Sequence, residues 1–146
     1  MIEVKPDKKL TQEELEQLVD RVFFKVIDLV GGIKKLAEFR SLTWLPSLAR
    51  AVYIVILKNE YLKPDEEIAS QIGISTNTVK TILRANPDAA LEKLKETEIK
   101  KELRIHTAGA LAKLAYNLVR EGKESKILIE FCKKWAVQES NLQPSD

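Results

Sequence analysis

The sequence predicts an all-α protein built as a multi-helix bundle. Leu, Ala, Lys, Glu and Ile dominate the chain, and these residues favour helices. Glycine and proline are scarce, five each in 146 residues, which suits long regular elements joined by few elaborate loops. Apolar residues recur at steps of three and four, the spacing of one helix face. Hydrophobic residues at 45% against charged residues at 32% place the chain among globular rather than disordered proteins, with enough length for one sizeable core. We expect a single domain over 1–146: an N-terminal helical segment (1–42), a central core (43–97) and C-terminal helices (98–140).

Residues 1–9 are polar and aperiodic and read as a frayed tail. Thr11, with Glu14 three residues on, forms a capping-box pattern, in which the threonine oxygen accepts from a free amide and the glutamate reaches back. Leu15, Val19, Val22, Val26 and Leu29 then mark a helix to about Val30. That seam suits packing within the chain or a coiled coil between copies, and it is shorter than the ~3–4 heptads of a secure coiled coil. Gly31 and Gly32 end the helix, and "IKKLAEF" adds one or two turns.

"SLTWLPSLARAVYIVILKNEYL" reads as the next helix, with Thr43 as N-cap and Pro46 in the first turn, where its missing N–H is tolerated. Residues 52–57 are apolar and β-branched enough for a buried strand, but length and the helical context before them favour a buried helix. Further on, "NPDAALEKL" starts a helix: Asn86 caps, Pro87 suits the first helical position and Asp88 suits the helix dipole. We expect this helix to run as far as Gly122, divided at Thr97 or bent at Gly109, with Ile99, Leu103, Leu111, Leu114 and Leu118 as its apolar stripe. A last helix from Glu124 to about Gln138 is expected to bury Leu128, Phe131, Cys132 and Trp135, followed by a disordered tail, "ESNLQPSD".

Chemistry is thinly represented. Formal net charge is only +2, so any polyanion partner must meet a local patch. The lone cysteine, Cys132, excludes an intramolecular disulfide and suits a reducing, cytoplasmic setting. No signal-peptide core opens the chain, and the longest apolar run, "AVYIVIL", is far short of the ~20 residues of a membrane helix. His106 is the only histidine and has no second His or Cys nearby, so it reads as structural rather than metal-binding. Cys132, on an apolar face, reads as an inert thiol. No carboxylate pair stands out for acid–base work, and no Gly-rich loop cradles a phosphate. We expect no catalytic residue, no metal and no cofactor.

The stretch "EEIASQIGISTNTVKTILRA" is more specific. Ile68, Ala69 and Ile72 form the inner face of a short helix starting at Pro64 or Asp65. Ala69 is small enough for a second helix to cross close above it. Gly73 permits a sharp turn, Ile74 plugs it and Ser75 caps the second helix, whose Val79, Ile82 and Leu83 face inward. Ser75, Thr76, Asn77, Lys80, Thr81 and Arg84 are left outward; all are polar and none is acidic.

This stretch resembles the helix-turn-helix of transcription regulators. "EIASQIGISTNTVK" is locally similar to the LuxR-type and sigma-factor region 4 pattern, with Glu67-Ile68-Ala69, Gly73-Ile74-Ser75 and Thr78-Val79-Lys80 at matching places. The Leu-Thr-x-Arg-Glu motif that opens LuxR-type domains is absent upstream, and a helix start follows where a winged helix has a β-hairpin. A tri- or tetra-helical variant without a wing is implied. The resemblance implies a motif core of Ala69, Gly73, Val79 and Ile82, and double-stranded DNA read in the major groove by the helix starting at Ser75. Thr76 and Asn77 are positioned for base edges, Lys80 and Thr81 for bases or backbone, and Arg84 for a phosphate.

Asp65, Glu66 and Glu67 cancel Lys63, Lys80 and Arg84 between Tyr61 and Asn86. Modest affinity per subunit is expected, compensated by a homodimer on two half-sites. Two rival readings stand beside this one. One is an all-α protein–protein interaction module using the same corner as scaffold. The other is a ligand-sensing regulator with a small-molecule effector pocketed near Ala108-Gly109-Ala110, although no sequence feature names a ligand.

Overall fold

A computed structural model describes residues 10–38, 44–100 and 104–142; for Trp44 and for residues 96–100 and 137–142 it describes the backbone alone. The N-terminal tail, Phe39, Thr43 and Leu103 fall outside the described residues, as do the side chains of Trp44 and Ile99. The described residues form eight α-helices and no strand: α1 (Gln12–Val30), α2 (Ile33–Leu36), α3 (Trp44–Tyr61), α4 (Asp65–Ile72), α5 (Thr76–Arg84), α6 (Ala90–Lys100), α7 (Ile105–Arg120) and α8 (Lys126–Leu142), with a 3-10 turn at Pro87–Ala89. The protein is an all-α bundle.

α1 starts and stops where its local chemistry directs. Thr11 Oγ1 accepts from the Glu14 amide at 3.1 Å. At the other end Gly31 is left-handed (φ 115°), its N–H donates to the Asp28 carbonyl and that of Gly32 to the Ile27 carbonyl. Leu15, Val19, Val22 and Val26 are buried against α3 and α7, so the seam belongs to the chain's own core.

α3 is the centre of that core. Leu48, Ala51, Val52, Ile54, Val55, Ile56 and Leu57 are each no more than 1% exposed, so the turn from Ile54 to Leu57 is sealed on all sides. Its β-branched run would serve a buried strand equally well; α1, α4, α5 and α7 surround it as a helix instead. At its end Leu62 turns left-handed, with φ 53°.

The long helix expected from Asn86 to Gly122 is two helices. Asn86 Oδ1 accepts from the Asp88 amide at 3.0 Å, but Pro87–Ala89 winds as a 3-10 turn and α6 begins only at Ala90. α6 continues past Thr97, and the break falls before Ile105, where Arg104 is extended (φ −86°, ψ 152°). Breaking there lets α6 fold back beside α7 while α7 crosses α1, α3 and α5. The inner face of α7 also differs from the expected leucine stripe. It is Thr107, Ala108, Gly109, Ala110, Leu111, Ala112, Ala115, Tyr116 and Val119, with Leu114 and Leu118 only half-buried. A helix crossing three others at close range needs small residues more than large ones.

α8 corrects a second expectation. Its base is tied to α1: the Arg21 guanidinium pairs with the Glu124 carboxylate, and the Lys126 amide donates to Asp28 Oδ2 at 2.8 Å. Ser125 is fully buried and its Oγ accepts from the Leu128 amide, so the helix starts at Lys126 rather than Glu124. Beyond this base residues 131–136 are all exposed. Phe131, Cys132 and Trp135, expected in the core, face solvent because the helix runs off the body, and Leu128 is only half-buried. Helix also continues through residues 139–142, which had read as tail. No described helix is long and apolar enough to cross a membrane.

Candidate nucleic-acid interface

The corner between α4 and α5 is built by the residues that predicted it. Gly73 has φ 82°, a conformation other residues adopt only under strain, and its N–H and that of Ile74 both reach the Ala69 carbonyl, at 2.9 and 3.0 Å. Ser75 Oγ accepts from the Thr78 amide at 3.1 Å and so caps α5. Ala69, Val79 and Ile82 are buried, while Ile74 and Leu83 pack half-buried against the core.

The opposite side of α5 is open. Ser75, Asn77, Thr81 and Arg84 are exposed, and Thr76 and Lys80 are half-buried. Asn77, Lys80, Thr81 and Arg84 follow one another at i, i+3, i+4 and i+7, so they form one stripe along the helix. The six candidates are not equally free. Ser75 is engaged as the cap, and Thr81 Oγ1 donates to the Asn77 carbonyl at 2.9 Å, leaving it only as an acceptor. Among the described residues, the side chains of Thr76, Asn77, Lys80 and Arg84 have no hydrogen-bond or ion-pair partner.

The acids beside the corner are largely answered by their own lysines. Lys58 Nζ lies 3.0 Å from Asp65 Oδ1 and also donates to the Lys63 carbonyl. Lys63 Nζ lies 3.9 Å from Glu67 Oε1 and donates to Gln71 Oε1. Such surface pairs add little stability, but they take two carboxylates and Lys63 out of the local balance. Lys80 and Arg84 remain as the cations of the α5 face.

Two residues outside the motif, Lys113 and Gly109, position it. Lys113 Nζ of α7 donates to the Leu83 carbonyl at 2.6 Å, placing a cation on the negative end of the α5 dipole. Gly109 lies directly on the backbone of Ile82; the small-residue run around it was the available signal. Arg50, exposed on α3, shares the walls of a cleft of about 70 Å³ with Ile74, Thr78, Ile82 and Ala108. That volume is far below the ~300–1,000 Å³ of ligand pockets, so the small residues here serve close packing. Among the described residues no three His, Cys, Asp or Glu side chains gather as a metal set.

Comparison with protein-family models, with curated proteins and with solved structures finds no match for this chain.

Proposed function

We propose that the protein is a sequence-specific DNA-binding transcriptional regulator that reads the major groove with α5 and works as a homodimer in the cytoplasm, without catalysis or cofactor. One observation carries the reading: the outer stripe of α5 is polar and free of acids, and its Asn77, Lys80 and Arg84 side chains have no partner among the described residues, while the inner face of the same helix is sealed. A bare stripe with Asn77 near the N-terminus of α5 and cations beyond it suits a helix in the groove, where asparagine pairs two-fold with adenine for ~1–3 kcal/mol of discrimination. Two free cations per copy give a salt slope of roughly −2, and a pair of copies roughly −4.

Titration of double-stranded DNA at two salt concentrations tests this. Asn77→Ala relaxes sequence preference, whereas Arg84→Ala weakens all sequences alike and lowers the salt slope by about 1. Absence of binding at low salt, where non-specific contacts also appear, overturns the proposal. The exposed apolar side of α8 favours the second reading, a protein-interaction module in which the corner is only scaffold.

A further inference from the structure

α8 beyond its base is an amphipathic helix with nothing to lie on among the described residues. Ile127, Phe131 and Trp135 are 44, 56 and 52% exposed and fall at i, i+4 and i+8, so they share one side. The rings of Phe131 and Trp135 are in contact, centroids 5.8 Å apart, and make one aromatic ridge. Lys134, seven residues beyond Ile127, borders it.

The outer face of α1 has complementary features. Glu13, Glu16, Asp20 and Phe24 follow at steps of three, four and four, and all four are exposed. Phe24 is 41% exposed, an apolar spot at the end of an acidic row. Among the described residues no cation pairs with Glu13, Glu16 or Asp20. α8 of the same chain is anchored on α1 at Arg21 and Asp28, on either side of Phe24 and beyond Glu13, Glu16 and Asp20, and then leaves the body.

We infer that α8 is an exchange arm between two copies of this chain. In the homodimer each copy lays its Phe131/Trp135 ridge over Phe24 of the other copy, with Lys134 facing the Glu16 and Asp20 row. Charge and shape class both match: a basic-edged aromatic ridge meets an acidic face ending in an aromatic. Area favours a second copy over one unrelated partner. About half of each aromatic, at ~150–250 Å² when fully buried, plus the exposed part of the isoleucine gives on the order of 220–320 Å² of apolar surface per arm. Two arms and the two faces beneath them then cover on the order of 900–1,300 Å², which reaches the lower end of standard stable interfaces, and one arm on a stranger covers half of that. Neither α1 nor α8 packs substantially on α5, so the exchange leaves the α5 stripe open.

The inference deepens the DNA reading, which needs a pair of copies, yet it is tested on protein alone. Sedimentation equilibrium of the full chain in the micromolar range is expected to give a dimer. Trp135→Glu and Phe131→Glu, both at exposed positions, keep the helical circular dichroism and thermal unfolding of the parent while the dimer weakens by roughly tenfold or more. Lys134→Glu weakens it too, and adding Asp20→Lys restores it. A parent that stays monomeric, or a dimer that Trp135→Glu leaves unchanged, overturns the inference. A dimer that Trp135→Glu weakens but the charge swap fails to restore puts α8 on another face and overturns the assignment to α1. A monomer that binds DNA defeats the arm and the homodimer and spares only the reading of DNA by α5; a dimer that Trp135→Glu weakens and that binds no DNA keeps the arm and defeats the DNA reading.

Discussion

Gly109 of α7 lies against the carbonyl of Ile82 in α5 with no side chain between the two backbones. A Cβ added to Gly109 would fall 2.7 Å from that oxygen, 2.9 Å from Ile82 Cα and 3.2 Å from Ala85 Cβ.

Gly109→Ala is therefore expected to destabilise. Alanine gains about 1 kcal/mol of helix propensity over glycine. Against this stands an overpacking cost of ~1–3 kcal/mol, and backbone atoms cannot rotate away as a side-chain tip can. A net loss of about 1 kcal/mol should appear as a lower urea midpoint. Because α7 must move off the end of α5, DNA affinity should fall as well.

Leu62 offers the opposite change. It follows α3 with φ 53°, is 71% exposed, and its N–H donates to the Lys58 carbonyl at 3.1 Å. A leucine held left-handed is strained by ~1–2 kcal/mol, and little of its side chain is buried in return. Leu62→Gly relieves that strain, less the greater freedom glycine has in the unfolded chain. A net gain of about 0.5–1 kcal/mol in urea unfolding is expected.

Tyr116 makes stability depend on alkaline pH. Its hydroxyl donates to Glu60 Oε1 at 2.7 Å, and Arg120 lies 3.4 Å from the same oxygen. Burial first, then the hydrogen bond to Glu60 and its charge, raise the phenol from 10.0 to about 12, with Arg120 pulling the other way. Between those values the folded chain keeps a proton that the unfolded chain has lost, so this contribution is whole below pH 10 and falls as pH rises towards 12. Tyr116→Phe removes it. The stability difference between parent and variant should shrink across that window in urea titrations at successive pH values.

What could be read from the sequence was local. Thr11 with Glu14, Gly31, and Gly73 with Ser75 act within a few residues of themselves, and their cap and turn bonds are present, although of the capping box only the bond from the Glu14 amide to Thr11 Oγ1 forms. The fate of a face depends on what arrives from elsewhere. The apolar side of α8 has the spacing of a core helix, yet Phe131 and Trp135 are exposed because α8 leaves the body. The inner face of α7 is rich in alanine, and close approach of backbones has no hydrophobic signature to compete with Leu114 and Leu118. On α5 itself, spacing singled out the outward residues, but not that Thr81 bonds its own helix or that Lys113 reaches Leu83 from thirty positions away.

The sealed surroundings of α3 also set an order in time. A helix whose residues 54–57 are at most 1% exposed cannot open alone, since its neighbours must come off first. Its amides should exchange hydrogen only on global unfolding, the slowest in the protein. The turns of α8 over residues 131–136, exposed throughout, should exchange far faster, and pairing of two copies would slow those turns and leave α3 as it was.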